Sequence, residues 1–246
     1  MDRLVYVAMS GAKEILRAQA ANNHNLANAS TTGFRADLSA FQTQSVIGAG
    51  LPSRAYATSD AVGWDRNSGS LEATGRDLDV AIKGPGWIAV QASDGSEAYT
   101  RAGNLRVEPT GILTTVTGNS VLGDSGPLSV PPSTSISIGG DGTVSVVPLG
   151  QTPKTVSSVG RIKLVNPPLQ DLVRGNDGLF RLRAGGEAPA DANVHVVAGT
   201  LESSNVNIAE TMTNMIELAR NYDLQVKAMH AAEDNAATSA KLLQTS

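Results

Sequence analysis

The 246-residue chain contains no cysteine. Disulfides, thiolate metal sites and cysteine nucleophiles are excluded together. Aromatic residues make up 4% of the chain and charged residues 17%, the latter against roughly a quarter in average soluble proteins. So low a charge density suits a surface covered in part by other protein. The net charge of −4 is too small to draw in a polyanion or to mark an acidic tail. No run reaches the ~18 to 20 apolar residues of a membrane span. The opening "MDRLVYVAMSGAKEIL" carries a short apolar stretch, but Asp2 precedes it and Lys13 and Glu14 follow without a cleavage site. It reads as mature protein, and any export is expected to use another route than a cleaved signal peptide.

Helix breakers are missing from both ends. Every proline lies between Pro52 and Pro189, Gly11 is the only glycine before Gly33, and none follows Gly199. Both termini are therefore free to form long helices. Their apolar and small residues agree. Leu4, Ala8, Gly11, Ile15, Ala18, Asn22, Asn25 and Ala29 step by alternating four and three. The same stepping recurs at Ile208, Met212, Met215, Ala219, Tyr222, Val226, Met229, Glu233, Ala236, Ala240 and Leu243. Some five heptads of this kind, about 50 Å of helix, predict a coiled-coil seam, since globular helices rarely run much beyond ~20 residues. A narrow stripe cannot bury itself, so the two ends are expected to pair with each other.

The middle has the turn chemistry of β-structure. "LDVAIKGPGWIAVQ" predicts two strands around residues 84–86, and "AYTRAGNLRVEPTGILTT" predicts further strands around Gly-Asn and Pro-Thr-Gly turns. "SISIGGDGTVSVV" predicts a hairpin with Ile136 and Ile138 alternating against Val144 and Val146, and "VGRIKLV" one more strand. Phe34, Leu38 and Phe41 are spaced for one or two helical turns in a connector, and "AGGEAPADANVHVVAG" (184–199) reads as a return link. The expected fold is α+β, with long terminal helices pairing as a coiled coil and an inserted mainly-β domain, either a sandwich or a meandering sheet. Its expected divisions are helix 1–29, connector 30–70, β domain 71–199 and helix 200–246.

Catalytic patterns are few. "GDSGP" (123–127) is close to the nucleophile loop of chymotrypsin-like proteases but lacks that loop's second glycine before the proline. A triad also needs a histidine beside Ser125, and His24, His195 and His230 are scattered along the chain. A periplasmic hydrolase using this loop is the rival expectation; a turn between strands is the simpler one. Three scattered histidines without paired carboxylates make no metal site, and "GGDG" has no strand-to-helix junction or P-loop lysine to cradle phosphate. Arg101, Arg106, Arg161 and Lys163 are dispersed without interleaved aromatics, so no nucleic-acid partner is expected. No cofactor, metal, enzymatic activity or membrane insertion is expected.

The most distinctive stretch is "NNHNLANASTTGF" (22–34). Asn22 and Asn25 fall on consecutive stripe positions, where buried amides fix register at a cost in stability. Asn28 can bond backbone groups freed at a helix end, Gly33 can take the left-handed conformation that turns the chain, and Phe34 can pack back on the last turn. The helix end reads as built for specific docking.

"NNHNLANASTTGFRADL" resembles the N-terminal signature of the bacterial flagellar rod and hook proteins, and "LESSNVNIAETMTNMIELARNYDLQVKAM" resembles their C-terminal signature. The asparagine-leucine-alanine-asparagine core is intact at Asn25, Leu26, Ala27 and Asn28, followed by Thr32, Gly33 and Phe34; His24 stands where many members carry another asparagine. "GRDLDVAIKGPGWIAVQ", "AYTRAGNLRV" and "GILTT" are also similar, while "MDRLVYVAMSGA" and "VGRIKLVNP" look most like the proximal rod members. The distal rod paralogue is the alternative. The resemblance implies a structural subunit of the periplasm-spanning rod of the basal body, exported by the flagellar type III apparatus. It implies other rod proteins and copies of this chain as partners. Terminal helices would form the inner tube and β-domains the outer layer of a shaft carrying torque from motor to hook. The expected assembly residues are Leu4, Ala8, Gly11, Ile15, Ala18, Asn22 and Asn25 of the first stripe, Ile208, Met212, Met215, Ala219, Tyr222, Val226, Met229 and Leu243 of the second, and Leu26, Asn28, Thr32, Gly33 and Phe34. Their Ala-rich stripes bury so little that the ends are expected to order only beside neighbouring subunits.

Overall fold

The computed structural model describes residues 3–45, 55–151 and 155–244. The chain divides into two compact units. One gathers Met1–Ala29, Ala36–Asp65 and Val206–Ser246; the other gathers Ser30–Arg35 and Arg66–Asn205.

The first unit is built on two helices, α1 (Arg3–Ala27) and α2 (Ile208–Gln244). α1 is rich in alanine and free of proline, and stops where the Asn28 N–H and its side-chain Nδ2 both donate to the His24 carbonyl, at 3.2 and 2.9 Å. α2 starts from Asn207, whose Oδ1 accepts from the Ala209 and Glu210 N–H groups at 3.1 and 3.3 Å. That is an N-cap, worth ~1 kcal/mol in typical helices. With 37 residues α2 is long, about 55 Å at the usual rise. The two helices pack against each other. Gly11 faces the Gln225 side chain, while Asn22 Nδ2 donates to the Thr211 carbonyl at 2.8 Å, so they run antiparallel.

They do not pair as a coiled coil. A coiled-coil seam buries both alternating stripe positions on each helix. α1 does bury Ala8, Ala12, Ile15 and Ala18, but among the described residues of α2 only Thr211 and Ala232 are buried. The expected seam residues Ile208 and Met212 are 49% and 52% exposed, and Ala219 and Glu233 face solvent as well. The physical reason is size. Alanines and Gly11 bring the helices close but offer few large knobs, so four-three spacing alone does not specify interlocking layers. α1 also divides its packing between α2 and a β-hairpin.

That hairpin replaces the helical turns expected around Leu38 and Phe41. Strand Asp37–Ser45 pairs antiparallel with Ala55–Trp64, from Asp37 opposite Trp64 to Ser45 opposite Ala55, with an irregularity between Leu38 and Ser39. Three residues at helical spacing are too few to offset helix nucleation, whereas a long antiparallel partner pairs the backbone groups along one edge of the strand. The side chain of Phe41 and the turn between the strands lie outside the described residues.

The second unit is β-structure, and every strand pair among its described residues is antiparallel. Among the described residues its largest sheet has nine strands; the main path runs Leu172–Arg174, Phe180–Leu182, Glu97–Thr100, Trp87–Gln91, Ser120–Gly123, Leu113–Thr115 and Leu105–Val107. A three-stranded sheet contains the expected hairpin, with Ile136 opposite Val146 and Ile138 opposite Val144. "VGRIKLV" is split rather than continuous: Ser157–Arg161 joins the three-stranded sheet and Leu164–Val165 pairs with Trp87–Gln91. The expected return link also carries a strand, His195–Ala198, paired with Val80–Lys83. Its β-branched run was masked by the Gly-, Pro- and Asp-rich loop before it. Val90, Leu105, Val121, Val144, Ile162 and Val196 from these different sheets share one core. Each such side chain contributes about 1.5 to 3 kcal/mol on burial.

Tyr99 shows how that core satisfies its polar groups. Its ring is fully buried, its hydroxyl donates to Glu97 Oε1 at 2.9 Å and accepts from the Ala188 N–H at 2.7 Å. Burial raises the phenol well above its ordinary pKa, so it stays protonated. Tyr99→Phe is expected to lower the stability of the β unit by about 2 kcal/mol, because the Ala188 N–H would be left buried and unbonded. Chemical denaturation of the purified chain measures this directly.

Candidate functional site

The residues expected to carry assembly fall in both units. Ala8, Ile15 and Ala18 are buried in the helical unit, and Gly11 and Leu26 are half-buried. Asn22 joins α1 to α2 through the Thr211 carbonyl. Asn25 does something different: its Nδ2 donates to the Asp37 carbonyl at 2.9 Å and its Oδ1 accepts from the Asp37 N–H at 2.7 Å. The amide thus pairs with the first residue of the hairpin as another strand would. His24 meets the Asp37 carboxylate at 2.6 Å beside it. On α2, Met215, Tyr222, Val226 and Met229 are half-buried, while Ile208, Met212 and Ala219 are exposed. The side chains of Leu4 and Leu243 lie outside the described residues.

The helical unit also leaves large apolar side chains in water. Tyr6, Met9 and Leu16 on α1, and Ile216 and Leu224 on α2, join Ile208 and Met212 in being about half exposed or more. Heptad spacing puts the expected α2 residues on one stripe; the structure divides that stripe between half-buried and exposed positions.

Thr32, Gly33 and Phe34 belong to the β unit, at the place where the chain runs in and out of it. Gly33 has φ +68°, and a Cβ there would lie 2.3 Å from the Arg101 carbonyl carbon. Its N–H donates to the Glu202 carbonyl at 2.8 Å. Phe34 is buried with the Arg174 guanidinium 4.4 Å above its ring, and Arg174 also donates to the Arg35 carbonyl at 2.9 Å. Arg35 and Arg101 then converge on one carboxylate. Arg35 Nη2 lies 2.7 Å from Glu202 Oε1 and Arg101 Nη1 lies 2.9 Å from Oε2. All three side chains are at most 5% exposed. Further bonds hold the guanidiniums: Arg35 donates to the Asn67 carbonyl, and Arg101 to the Gly84 carbonyl at 2.7 Å. Burial lowers the Arg101 pKa from its ordinary value, with Glu202 opposing that shift and Arg35 adding to it. Arg101 also lies 5.5 Å from the centroid of the buried Trp87 ring.

Sequence reasoning passed over this cluster. Arg35 and Glu202 sit inside the two signature strings and Arg101 inside the similar string "AYTRAGNLRV", but nothing in those strings says that the three meet.

The Gly123–Pro127 region is a turn. Ser120–Gly123 and Gly126–Pro127 pair antiparallel, leaving Asp124 and Ser125 exposed at the tip. Asp124 lines an open surface pocket with Lys163, Glu187, Ala188, Pro189 and Ala190, and that lining contains no histidine. His195 lies on the strand paired with Val80–Lys83, and His230 beside Glu233 in α2. Among the described residues, no group of three His, Asp or Glu is placed to hold a metal ion.

Comparison with known proteins accords with this geometry. Residues 197–242 match the family described as flagellar basal body rod FlgEFG protein C-terminal, and residues 81–146 match the flagellar hook protein FlgE/F/G D1 domain. The chain is 44% identical to the flagellar basal-body rod protein FlgF of Escherichia coli (strain K12), over 100% of both chains. It is 33% identical to the FlgF of Caulobacter vibrioides, over 93% of each. Against the rod protein FlgG of Bacillus subtilis it is 30% identical, over 95% of this chain and 96% of that one. With two terminal helices, a β-rich middle and full-length identity of this order, the chain belongs to the flagellar basal-body rod protein family and is FlgF-like within it.

Proposed function

We propose that this chain is a structural subunit of the proximal part of the flagellar rod, and that it assembles through its two terminal helices. The observation that carries this is the large apolar side chains both helices leave in solvent within a single subunit. Neighbouring rod subunits, whether copies of this chain or related rod proteins, would cover them. Close-packed helices resist shear, so a shaft built this way passes torque from motor to hook. The subunit acts by packing, with no catalytic step; Ser125 at the tip of a tight turn has the surroundings of a turn residue. Travel through the flagellar type III apparatus suits a chain without cysteine, because no wrong disulfide can form in an oxidising compartment.

The test exploits the difference between the two faces of α2. Met212 is half exposed, so Met212→Asp leaves the subunit folded while placing a charge in the contact. The expected result is a purified variant whose melting temperature matches the parent. Cells relying on it should be non-motile, with rods that stop short of the hook in images of their basal bodies. Normal rods and swimming would sink the reading. Met215 is a poorer choice, because it is already half-buried and its replacement would disturb the subunit itself.

A further inference from the structure

Four boundaries separate the two units along the chain, after residues 29, 35, 65 and 205. The chain therefore passes through the β unit's margin in three stretches: 30–35, the residues after 65, and the residues leading to 205. Within the β unit these stretches are bonded to one another, and a single side chain touches all of them. Glu202, on the outgoing stretch, holds Arg35 of the first by its carboxylate and Gly33 of the first by its carbonyl. Its Oε1 also accepts from the Gly69 N–H of the second at 3.1 Å. Arg101 anchors the same carboxylate to the sheet.

Secondary bonds repeat the pattern. The Ser203 N–H donates to the Ser70 carbonyl at 2.8 Å, and the Ser70 N–H to Ser203 Oγ at 3.1 Å. The Asn205 N–H donates to the Phe34 carbonyl at 3.3 Å, and its Nδ2 to the Asn67 carbonyl at 2.9 Å. Gly69 is the residue that lets the second stretch lie this close, since a Cβ there would sit 2.0 Å from the Ser203 carbonyl oxygen.

None of these residues belongs to the shared apolar core, which is made by strands such as Trp87–Gln91, Leu105–Val107 and Thr143–Pro148. Two functions are thus carried by different side chains. The core holds the β unit together, and the Arg35–Glu202–Arg101 cluster holds the three passing stretches. From this we infer that Glu202 is a latch: it locks the margin through which the β unit is strung to the rest of the chain, without being what keeps that unit folded. The carboxylate is suited to the task because it is buried between two guanidiniums. Removing its charge leaves two buried cations without their counter-ion, a far larger penalty than loss of an exposed pair. The latch also closes late along the chain. Gly33, Arg35 and Gly69 cannot reach their partner on Glu202 until residue 202 is present.

The inference does not depend on the rod reading, and its test uses the free full-length chain. Glu202→Gln keeps the shape and removes the charge. Amide exchange is read at Gly33, Gly69, Ser70, Ser203 and Asn205, and separately at Ile88, Val90 and Val121 in the core strands. The expected result is exchange at least tenfold faster at the first group, with the second unchanged. Unchanged exchange at the first group would overturn the latch. Equal loosening in both groups would overturn it too, since Glu202 would then hold the domain as a whole. Should Glu202→Gln fail to accumulate, Arg35→Lys is the milder variant, keeping the charge while giving up the forked reach to Glu202 and Asn67. It should speed exchange severalfold at Gly33 and Gly69 only; parental rates there, or acceleration in the core strands, would count against the latch.

Discussion

Gly103→Ala is expected to destabilise the β unit by about 3 kcal/mol or more, and to lower its melting temperature by roughly 10 °C. The cause is contact between two backbones. A Cβ on Gly103 would stand 1.6 Å from the Val80 carbonyl oxygen and 3.1 Å from Val80 Cγ2. Neither neighbour can retreat. Val80 is fully buried, and its N–H donates to the Gly103 carbonyl at 2.9 Å. On either side the Asp79–Asn104 bridge and the bond from the Leu105 N–H to the Leu78 carbonyl tie the same two segments together. Relief would require peeling Val80 from the core it helps to form. Calorimetry on the variant is decisive: a melting temperature within a degree or two of the parent would mean that these backbones do not approach so closely.

Gly33→Ala carries the second large effect, and it combines two penalties. The left-handed φ of +68° costs an alanine about 1 to 2 kcal/mol. The added Cβ would also fall 2.3 Å from the Arg101 carbonyl carbon and 2.6 Å from the Ala102 nitrogen. Because that contact is with main chain, the steric penalty is the larger. A control separates the two: asparagine tolerates the left-handed region but brings the same Cβ, so Gly33→Asn should be nearly as damaging. The measurable outcome is proteolysis within 30–35 that is at least tenfold faster, together with loss of motility. If Gly33→Asn behaved like the parent, backbone strain alone would be at work and the close approach would be wrong.

These two glycines show unequal legibility. Gly33 follows a run of turn-forming residues after an uninterrupted helical pattern, so its role as a chain reversal is readable from its neighbours. Gly103 lies in "RAGN", which announces a turn; its near-contact with Val80, more than twenty positions earlier, is invisible locally. The same division runs through the molecule. Asn28 bonds a carbonyl one helical turn back, a local event, and its behaviour is readable. Asn25 bonds Asp37, and nothing in the spacing of residues 22–34 says that the following segment becomes a strand for it to meet. Periodicity predicts a single seam on α2 because it reports which residues share a helix face. It does not report how much of that face a partner covers.

By itself, the amino-acid sequence determined the family, the helical ends and the β-rich middle. These depend on short strings, on the placement of breakers and on turn residues, all of which act over a few positions. Only the tertiary structure decided the pairing of Asp37–Ser45 with Ala55–Trp64, the division of α2 into covered and bare faces, and the meeting of Arg35, Arg101 and Glu202. Each of those is set by partners tens to hundreds of residues away, where burial and backbone pairing outweigh local preference. A charge becomes a latch only when folding removes water from around it and brings its counter-ions within reach.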